Sequence, residues 1–249
     1  MHQTMPTTKT KKQRVDLLLV ERGLAESLEK AQALLMAGRV TANGKPITKP
    51  GQQVGVSCQL AVSAPMPYVG RGGFKLAHAL DEFGVDVTGA TALDVGASTG
   101  GFSDCLLQRG AQRVYALDVG YGQLDQRLRR DPRVVVMEHV NARYPFQLPE
   151  LVDVATVDVS FISLALVLPS VAKHIKPAGH IVALVKPQFE AKRGQIGKGG
   201  VVKDPKVHAE VLAKAIVWVV EHGFRLQGLT PSPLVGDAGN REFLLLLQI

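Results

Sequence analysis

A glycine-rich turn and a later aspartate are the first residues of the sequence that could do chemistry. Residues 93–102, LDVGASTGGF, carry an apolar run into three glycines, whose missing side chains let the backbone come close to a ligand. Asp118 ends the next apolar run, where a carboxylate can accept hydrogen bonds from both hydroxyls of a ribose. Together these features predict a site for a ligand that contains a nucleoside. The other interpretation is that the glycines only shape a tight turn.

The spacing of the glycines narrows the class of ligand. The turn reads G-x-x-x-G-G, which matches neither the dinucleotide fingerprint nor the phosphate-binding loop that ends in Gly-Lys-Ser/Thr. A cofactor with ribose and adenine but no phosphate, such as S-adenosylmethionine, suits this turn. We expect Asp118 to bind the ribose and Asn141 the adenine edge, although an Asn there would serve equally well as a loop cap. The predicted contacts in the turn are Asp94, Gly96, Ala97, Ser98, Thr99, Gly100 and Gly101.

Four charged residues stand where elements begin or end. Asp158 and Lys186 each follow directly after an apolar run, Lys75 lies at the start of a predicted helix, and Glu242 opens the last predicted strand. Charged groups are costly to bury unless they compensate one another, and such pairs are a common signal of an active site. We therefore expect these four side chains to converge beside the cofactor.

The elements that must position these residues alternate between strands and helices. Continuous apolar runs indicate strands that are covered on both faces, and therefore a largely parallel sheet. Ligands bind such sheets at the carboxyl ends of the strands. The predicted fold class is α/β, a Rossmann-like doubly wound sheet with a late antiparallel strand. The predicted strands are 92–95, 114–117, 134–137, 152–157, 180–185, 225–230 and 242–248, and the predicted helices are 74–83, 102–109, 123–130, 164–175 and 205–222.

A small α+β unit precedes this sheet. Ser27 is a suitable N-cap for its second helix, which Gly38 ends, and Asn43-Gly44 is a typical hairpin turn. Two prolines at 65 and 67 mark the boundary of the unit. The predicted helices of this unit are 15–21 and 27–36, and its strands are 39–42, 46–48 and 54–62. The predicted organisation is a disordered basic tail at 1–13, the small unit at 14–62, a linker at 63–73 and the doubly wound domain at 74–249.

The positive charge of the chain lies in its first part. The first 75 positions hold 11 of the 29 Lys and Arg residues but only 4 of the 22 Asp and Glu residues, so they carry the whole net charge of +7. A basic unit joined to a neutral one indicates that the first part binds a polyanion while the second does chemistry, unless the lysines are simply solvated. A glycine-containing basic loop at 188–204 is either a further RNA contact or a flexible connection. The candidate RNA contacts are Lys30, Arg39, Lys45, Lys49, Arg71, Lys192, Arg193 and Lys198.

Composition and cysteine content set further bounds. With 249 residues, 46% of them hydrophobic, the chain is long enough to bury a sizeable core. No run approaches the roughly 18 apolar residues of a membrane helix, and the N-terminus lacks a signal-peptide pattern, so we expect a soluble cytoplasmic protein. Cys58 and Cys105 lie far apart without metal-ligand spacing, so we expect free thiols and no metal.

Several motifs together resemble one family. The turn reads D-x-G-x-x-x-G-G, which resembles motif I of Rossmann-like methyltransferases, and the unit at 14–62 resembles the S4 RNA-binding domain. With GRGGFKL at 70–76, DVSF at 158–161, KPQFE at 186–190 and NRE at 240–242, the chain resembles the TlyA family over residues 14–249. That family joins an S4 domain to an FtsJ-type ribose 2′-O-methyltransferase, and its members are often labelled haemolysins.

The resemblance implies a function and a set of site residues. It implies S-adenosylmethionine as cofactor, ribosomal RNA or a ribosomal subunit as partner, and methyl transfer to a ribose 2′-hydroxyl, that of a cytidine. It assigns the Lys-Asp-Lys-Glu tetrad of the family to Lys75, Asp158, Lys186 and Glu242.

Two roles are open for Lys186. To take a proton from a hydroxyl it must be a neutral amine, which burial and the charge of Lys75 favour and which Asp158 and Glu242 oppose. Otherwise it stays an ammonium and stabilises the developing alkoxide. We favour the proton acceptor, with Asp158 orienting it, Lys75 lowering its proton affinity and holding the oxygen, and Glu242 placing Lys75 or the ribose.

Other functions fit the sequence less well. Transfer to a base nitrogen would use Asp158-x-x-Phe161 as an Asp/Asn-Pro-Pro-Tyr/Phe motif, but both prolines are missing and Lys186 and Glu242 would have no role. Transfer to a base carbon needs a cysteine nucleophile, for which Cys105 is poorly placed on a helix. An RNA-binding protein of the haemolysin-labelled type without methyltransferase activity would leave the filled tetrad unexplained, and no amphipathic insertion helix supports membrane permeabilisation.

Overall fold

The computed structural model describes residues 11–64 and 66–249. The chain divides into two compact units, with the boundary between Pro67 and Tyr68. This boundary lies within the predicted linker at 63–73. In the described part of the chain, no helix combines the length and the hydropathy needed to cross a bilayer.

The first unit consists of two short helices and five short strands. The Ser27 hydroxyl accepts a hydrogen bond from the Lys30 amide at 3.2 Å, so Ser27 is the N-cap that the sequence predicts. Apolar side chains from both helices and from the strands bury one core, which contains Leu18, Leu35 and Val40. The elements are β1 (Lys12–Arg14), α1 (Val15–Glu21), α2 (Leu28–Met36), β2 (Val40–Ala42), β3 (Lys45–Ile47), β4 (Gln53–Gly55) and β5 (Leu60–Val62).

The strands of this unit differ from the prediction in two places. The predicted strand at 54–62 is two strands, because the chain turns between β4 and β5 and each joins a different sheet. β5 pairs with β2 in an antiparallel sheet of order β3-β2-β5, and β4 pairs with β1. The predicted tail at 1–13 lies mostly outside the described residues, but Lys12 and Gln13 belong to β1, where backbone pairing with β4 satisfies their peptide groups.

The second unit is a seven-stranded sheet between helices. Its inner strands are buried on both faces, with separate apolar cores on the two sides, whereas the edge strands are partly exposed. The elements are α3 (Gly72–Phe83), β6 (Thr91–Val95), α4 (Gly101–Gln108), β7 (Arg113–Leu117), α5 (Gln126–Arg129), β8 (Val134–Met137), β9 (Val152–Val157), α6 (Leu168–Ala172), β10 (Ile175–Val185), α7 (Pro187–Glu190), α8 (Pro205–Glu221), β11 (Arg225–Pro231) and β12 (Phe243–Gln248).

The strand order of this sheet confirms the predicted fold class. The order is β11-β12-β10-β9-β6-β7-β8, and the strands from β10 to β8 run parallel. β12 is antiparallel to both of its neighbours, β10 and β11. The sheet is therefore the doubly wound sheet with a late antiparallel strand that the apolar runs predict.

Two helices and one strand depart from their predicted bounds. The predicted helix at 164–175 is a 3₁₀ turn at Leu164–Leu166 followed by the short α6, and the predicted helix at 123–130 shortens to α5. A proline in the first turn of α6 explains the break, because its ring cannot continue a preceding helix. β10 begins five residues before the predicted 180, at Ile175, with a register irregularity between Ile175 and His180.

The connectivity of the sheet creates the position of the site. The chain passes from β6 to β7 and β8 on one side, then crosses to β9 and β10 on the other. The order thus reverses between β6 and β9, and such a switch point leaves a crevice at the carboxyl ends of the strands. Gly96, Asp118, Asp158 and Lys186 each directly follow one of the strands β6, β7, β9 and β10, so they meet at this crevice.

Candidate active site

Two cavities adjoin at the carboxyl ends of the parallel strands. The first measures about 690 Å³ and contains Lys75, Asp158, Lys186 and Glu242. The second measures about 710 Å³ and contains Asp118. We call them the reaction cavity and the nucleoside cavity. The residues that line both are Gly96, Ser98, Asp158, Ser160, Phe161 and Phe189, so one ligand can extend from one cavity into the other.

Backbone amides hold the Asp118 carboxylate at the edge of the nucleoside cavity. The Ser98 amide donates to Oδ2 at 2.8 Å and the Gly120 amide donates to Oδ1 at 2.7 Å. Each carboxylate oxygen has a second lone pair, so both can still accept a ligand hydroxyl. Gln123 lines the same cavity and accepts a hydrogen bond from the Ser98 hydroxyl at 3.3 Å. The sequence did not indicate Gln123, because it was only the first residue of the predicted helix at 123–130, which in the structure begins at Gln126.

Asn141 lines the nucleoside cavity and also caps its own loop. Its Oδ1 accepts a hydrogen bond from the Arg143 amide at 3.0 Å. The Nδ2 group of the same carboxamide has no hydrogen-bond partner among the described residues. Both interpretations of Asn141 from the sequence are therefore compatible with its position, and its contact with adenine stays a prediction.

The glycine turn presents backbone to the reaction cavity. Gly96 has a φ of +85°, and a Cβ there would lie 2.3 Å from the carbonyl oxygen of Asp158, so only glycine fits. Gly96, Ala97, Ser98, Thr99 and Gly101 line the reaction cavity. Gly100 lines neither cavity. A Cβ there would lie 2.2 Å from Leu128 Cδ1, so the missing side chain lets α5 pack against the turn. A turn of bare backbone beside the Asp118 carboxylate suits an adenosine that carries no phosphate.

Asp94 has a different environment from the one predicted for it. Its side chain is fully buried and lines neither cavity. The Ser103 hydroxyl donates to Oδ2 at 2.6 Å and the Thr156 hydroxyl donates to Oδ1 at 2.9 Å. Burial raises the pKa of Asp94 to about 6, and the negative charge of Asp158 adds to the rise. In this structure Asp94 ties β6 to α4 and β9 beneath the turn, and its direct contact with a cofactor stays a prediction.

The first ion pair of the reaction cavity is closed and deeply buried. Lys75 Nζ donates to Glu242 Oε2 at 2.5 Å, and their side chains are 10% and 3% exposed. Lys75 comes from the first turn of α3, and Glu242 directly precedes β12. Buried charges are stable only when paired, so this contact accounts for both residues.

The second ion pair is more open and has a third member. Lys186 Nζ lies 2.6 Å from Asp158 Oδ1, and their side chains are 11% and 21% exposed. That buried carboxylate oxygen takes no aligned hydrogen bond from any described residue. Lys186 Nζ also donates to the Ser160 hydroxyl at 2.9 Å. The contact with Asp158 is therefore Coulombic. Ser160 belongs to the DVSF segment, but its type and spacing alone gave no reason to select it.

Two aromatic rings form one wall between the cavities. Phe161 is 90% exposed and has a φ of +63°, which is uncommon for a bulky residue and typical of functional sites. Its ring centroid lies 5.0 Å from that of Phe189, and Lys186 Nζ lies 5.9 Å from the centre of the Phe189 ring. From the sequence, Phe161 stood only in the DVSF segment and in the rejected base-nitrogen motif, because an exposed conformation cannot be read from residue type.

Asn240, in the NRE segment, holds part of the basic loop beside the reaction cavity. Its buried side chain accepts a hydrogen bond from the Val202 amide at 2.9 Å and donates to the Gly200 carbonyl at 3.0 Å. Gly199 and Gly200 then line the cavity. The loop residues Lys192, Arg193 and Lys198 are exposed and form no ion pair within the described part of the chain. Their RNA contacts stay predictions.

Arg71 is the predicted RNA contact that reaches the reaction cavity. It pairs with Asp237 at 2.7 Å and donates to the Val235 carbonyl at 2.7 Å. Asp237 is almost fully exposed, so this pair is weak and can exchange for a phosphate. Arg71 thus remains available to RNA.

The predicted RNA contacts of the first unit are not equally available. Lys30 pairs with Glu26 on the surface of α2, and Arg39 donates to the Ser63 carbonyl at 3.0 Å. Lys45 and Lys49 are exposed and have no ion pair within residues 11–64 and 66–249. Lys45 and Lys49 are therefore the freer cations of this set.

Neither a metal nor a cysteine nucleophile has support in the described residues. No group of His, Cys, Asp and Glu side chains within them could hold a metal ion. Cys105 is fully buried, and burial raises the pKa of its thiol to about 11, so it is not a thiolate at neutral pH.

Comparison with known proteins extends these observations. The family model for FtsJ-like methyltransferases matches residues 68–249, and the S4 domain model matches residues 13–58. The chain is 51% identical over 243 residues to YqxC of Bacillus subtilis (strain 168), named as a candidate rRNA methyltransferase, with 96% of this chain and 86% of that protein covered. It is 46% identical over 239 residues to the 16S/23S rRNA (cytidine-2′-O)-methyltransferase TlyA of Mycobacterium tuberculosis (strain ATCC 25618 / H37Rv), covering 94% of this chain and 89% of that protein.

A solved structure shows the same likeness. A candidate hemolysin from Streptococcus thermophilus aligns with a TM-score of 0.74 and 45% identity, over 96% of this chain and 89% of that chain. The similarity therefore spans both units rather than the doubly wound sheet alone.

Proposed function

The chain belongs to the TlyA family, in which an S4 domain precedes an FtsJ-like methyltransferase domain, and we propose that it methylates the 2′-hydroxyl of a ribose in ribosomal RNA. The observation that carries the proposal is the meeting of two lysine–carboxylate pairs in a cavity that opens onto a nucleoside cavity. The names of the relatives favour a cytidine as the target. Ribosomal RNA as substrate agrees with the cytoplasmic location expected from the sequence.

The cofactor we propose is S-adenosylmethionine, which supplies an electrophilic methyl group when bound. Asp118 would accept the ribose hydroxyls, and Asn141 would donate to the adenine edge. The backbone of Gly96 and Ala97 would lie along the methionine part, where the two cavities meet. The Asp118 side chain is the sharpest test of this assignment, because its two oxygens are the acceptors that the amides of Ser98 and Gly120 hold in place.

The residues of the second ion pair would handle the proton of the reaction. As the 2′-oxygen gains the methyl group, its proton passes to the neutral Lys186 amine, which ends as an ammonium. Asp158 stabilises that ammonium, and Ser160 can donate to the amine or accept from the ammonium, so it holds the nitrogen in place in both states.

The first ion pair would hold the oxygen. Lys75 is an ammonium that Glu242 keeps in place, and it can donate a further hydrogen bond to the 2′-oxygen as that atom loses its proton. Phe161 and Phe189 offer aromatic faces on which an unstacked base can lie, a common mode of single-stranded RNA recognition. The S4 domain, with Lys45 and Lys49, would bind the RNA backbone.

Ribosomal subunits are the substrate we propose for the test. Small and large subunits from cells that lack the enzyme are incubated with the protein and radiolabelled S-adenosylmethionine, and the labelled nucleoside is identified by digestion and mass spectrometry. We expect 2′-O-methylcytidine, loss of transfer in Lys186→Ala, and loss of cofactor binding in Asp118→Ala. A label on a base would overturn the proposal, as would full transfer by Lys186→Ala.

A control separates RNA binding from chemistry. A Lys45→Ala, Lys49→Ala double variant keeps the reaction cavity intact but removes two exposed cations of the first unit. We expect it to raise the RNA concentration needed for half-maximal transfer, more strongly at higher salt, and to leave the affinity for the cofactor unchanged. If the wild-type protein bound rRNA but transferred no methyl group, an RNA-binding role alone would be supported instead.

A further inference from the structure

Gln188 has a buried carbonyl oxygen without a hydrogen-bond donor. The residue follows Lys186 in the KPQFE segment and lines the reaction cavity. No described residue donates to its side-chain Oε1, although that atom is shielded from solvent. A buried polar atom without a partner costs about 1–3 kcal/mol, so such atoms are rare in folded proteins. A ligand that brings a donor would remove this cost.

The charged and amide donors around the cavity each have another partner in the structure, and none of them donates to Gln188 Oε1. Lys75 donates to Glu242, and Lys186 donates to Ser160. Arg71 donates to Asp237, and Asn240 donates to the Gly200 carbonyl. The missing donor is therefore best supplied from outside the protein.

The sheet order separates Gln188 from the proposed cofactor. The glycine turn follows β6 and Asp118 follows β7, whereas Gln188 comes after β10, with β9 lying between β10 and β6. Gln188 also lines only the reaction cavity, whereas Asn141 and Asp118 line only the nucleoside cavity. The donor for Gln188 thus belongs to the RNA rather than to the adenosine.

Within RNA, the chemistry leaves few donors. Within an RNA chain, the only donor of the target ribose is its 2′-hydroxyl, and in the proposed reaction that hydroxyl faces Lys186. The phosphate oxygens only accept hydrogen bonds. The other donors belong to the base. Cytosine carries a 4-amino group, where uracil carries an acceptor oxygen. Phe189, next to Gln188 in sequence, and Phe161 are positioned to hold such a base by its face.

We infer that Gln188 is a specificity residue of this enzyme, whose carboxamide oxygen accepts a hydrogen bond from the 4-amino group of the target cytosine. The inference rests on the proposed function, because it needs a cytidine in the reaction cavity. It assigns the choice of base to a residue outside the Lys-Asp-Lys-Glu tetrad. The neighbouring NH₂ group of the same carboxamide can donate to the ring nitrogen N3 of cytosine, which is an acceptor.

The test exchanges the base and the residue together. After the wild-type enzyme has been used to locate the methylated cytidine, ribosomal RNA transcripts are made with cytidine or uridine at that position. Initial rates are measured for wild type, Gln188→Ala and Gln188→Glu with both transcripts. We expect the wild type to prefer cytidine by about tenfold or more, and Gln188→Ala to lose about tenfold on cytidine but little on uridine, since one hydrogen bond is at stake. Gln188→Glu replaces the NH₂ group by a second acceptor, which opposes N3 of cytosine but suits the N3–H donor of uracil, so the preference should fall.

Gln123→Ala is the matched control, because it removes the same side chain from the nucleoside cavity. It should weaken cofactor binding and leave the cytidine-to-uridine ratio at the wild-type value. An unchanged cytidine-to-uridine ratio in Gln188→Ala would overturn the inference. If that variant also bound S-adenosylmethionine more weakly, Gln188 would contact the cofactor instead of the base. Should the wild type methylate neither transcript nor any subunit ribose, the proposed function itself would fall, which is a distinct result.

Discussion

The two lysine–carboxylate pairs of the reaction cavity have the same composition but different surroundings. Lys75 and Glu242 form a direct, buried hydrogen bond with little exposure on either side. Lys186 and Asp158 are also close, but the ammonium is shared with the Ser160 hydroxyl and the carboxylate is partly exposed. Lys75 in the first pair is held in one position by Glu242, whereas Lys186 in the second pair contacts two partners and can move between them.

This difference indicates that the four residues of the Lys-Asp-Lys-Glu tetrad have different roles. A lysine whose ammonium is locked onto a carboxylate can stabilise an oxyanion without changing its own charge. A lysine that lies between a carboxylate and a hydroxyl can gain or lose a proton with less rearrangement. Breaking the two pairs should therefore give different defects: loss of chemistry for the open pair and loss of stability for the closed one.

The largest expected effect is on the chemical step. Lys186→Met keeps the length of the side chain but removes the proton acceptor, so kcat should fall by about 10²–10⁴-fold. Cofactor affinity, measured by calorimetry, should stay within twofold of wild type. Single-turnover rates with ribosomal subunits give the comparison, and a Lys186→Met enzyme with wild-type kcat would remove the distinction between the pairs.

The next effect is on stability. Glu242→Gln leaves the buried Lys75 ammonium without its countercharge, which should lower the free energy of unfolding of the second unit by about 3–5 kcal/mol. The single tryptophan, Trp218, lies in α8 of that unit, so urea unfolding followed by its fluorescence reports on it.

A double variant checks the cause of that loss. Lys75→Met with Glu242→Gln removes both charges and should recover much of the stability without recovering activity. Equal destabilisation in the single and the double variant would show that the closed pair does not act as a compensated charge.

A third prediction concerns the buried carboxyl group beneath the glycine turn. Burial raises the pKa of Asp94 to about 6, against an ordinary value of 3.8, and the charge of Asp158 adds to the rise. Between these values the unfolded chain ionises while folded Asp94 stays protonated, so its stabilising contribution is present below about pH 4 and is lost as the pH rises through 6. The loss amounts to about 3 kcal/mol. Asp94→Asn cannot ionise, so its free energy of unfolding, relative to wild type, should rise by that amount between pH 4 and pH 7.

The measurement is a set of urea titrations of both proteins across that pH range, followed by Trp218 fluorescence. A Ser103→Ala variant, which removes one hydroxyl donor to Asp94 but keeps the carboxyl group, serves as the control and should retain the wild-type sign of the pH dependence. Parallel curves for wild type and Asp94→Asn would contradict the raised pKa.

The smallest predicted effect belongs to the third member of the open pair. Ser160→Ala removes the hydroxyl that Lys186 contacts, and kcat should fall by about tenfold. Ser160→Thr keeps the hydroxyl and should restore the rate. A rate as low in Ser160→Thr as in Ser160→Ala would show that the hydroxyl does not act on Lys186.

Much of the fold could be predicted because apolar runs and their interruptions reflect burial directly. Asp118, Asp158 and Lys186 stood out as polar residues at strand ends, and the sheet brings them to one edge. Their pairing could not be predicted from spacing alone, since Lys75 and Glu242 are 167 positions apart. The catalytic roles came from the family resemblance and remain to be tested.

What the sequence left open depends on direction and on local backbone conformation. Asp94 lies in the same motif as the glycine turn, but its side chain points into the core, which the run LDVG does not reveal. Phe161 adopts a left-handed conformation, and Gln188 has an orphaned oxygen; both depend on neighbours that are distant in sequence. Helix 164–175 was overestimated because a proline breaks an otherwise apolar stretch.

The place of the last strand has a consequence for synthesis of the protein. β12 lies inside the sheet, between β10 and β11, and Glu242 directly precedes it. While the chain emerges from the ribosome, the first unit can fold early, because domains generally fold as they appear. The second unit cannot close its sheet, and Lys75 cannot meet its carboxylate, until residues 242–248 have left the exit tunnel. An enzyme proposed to modify ribosomes therefore gains its reaction centre only after β12 has left the ribosome that made it.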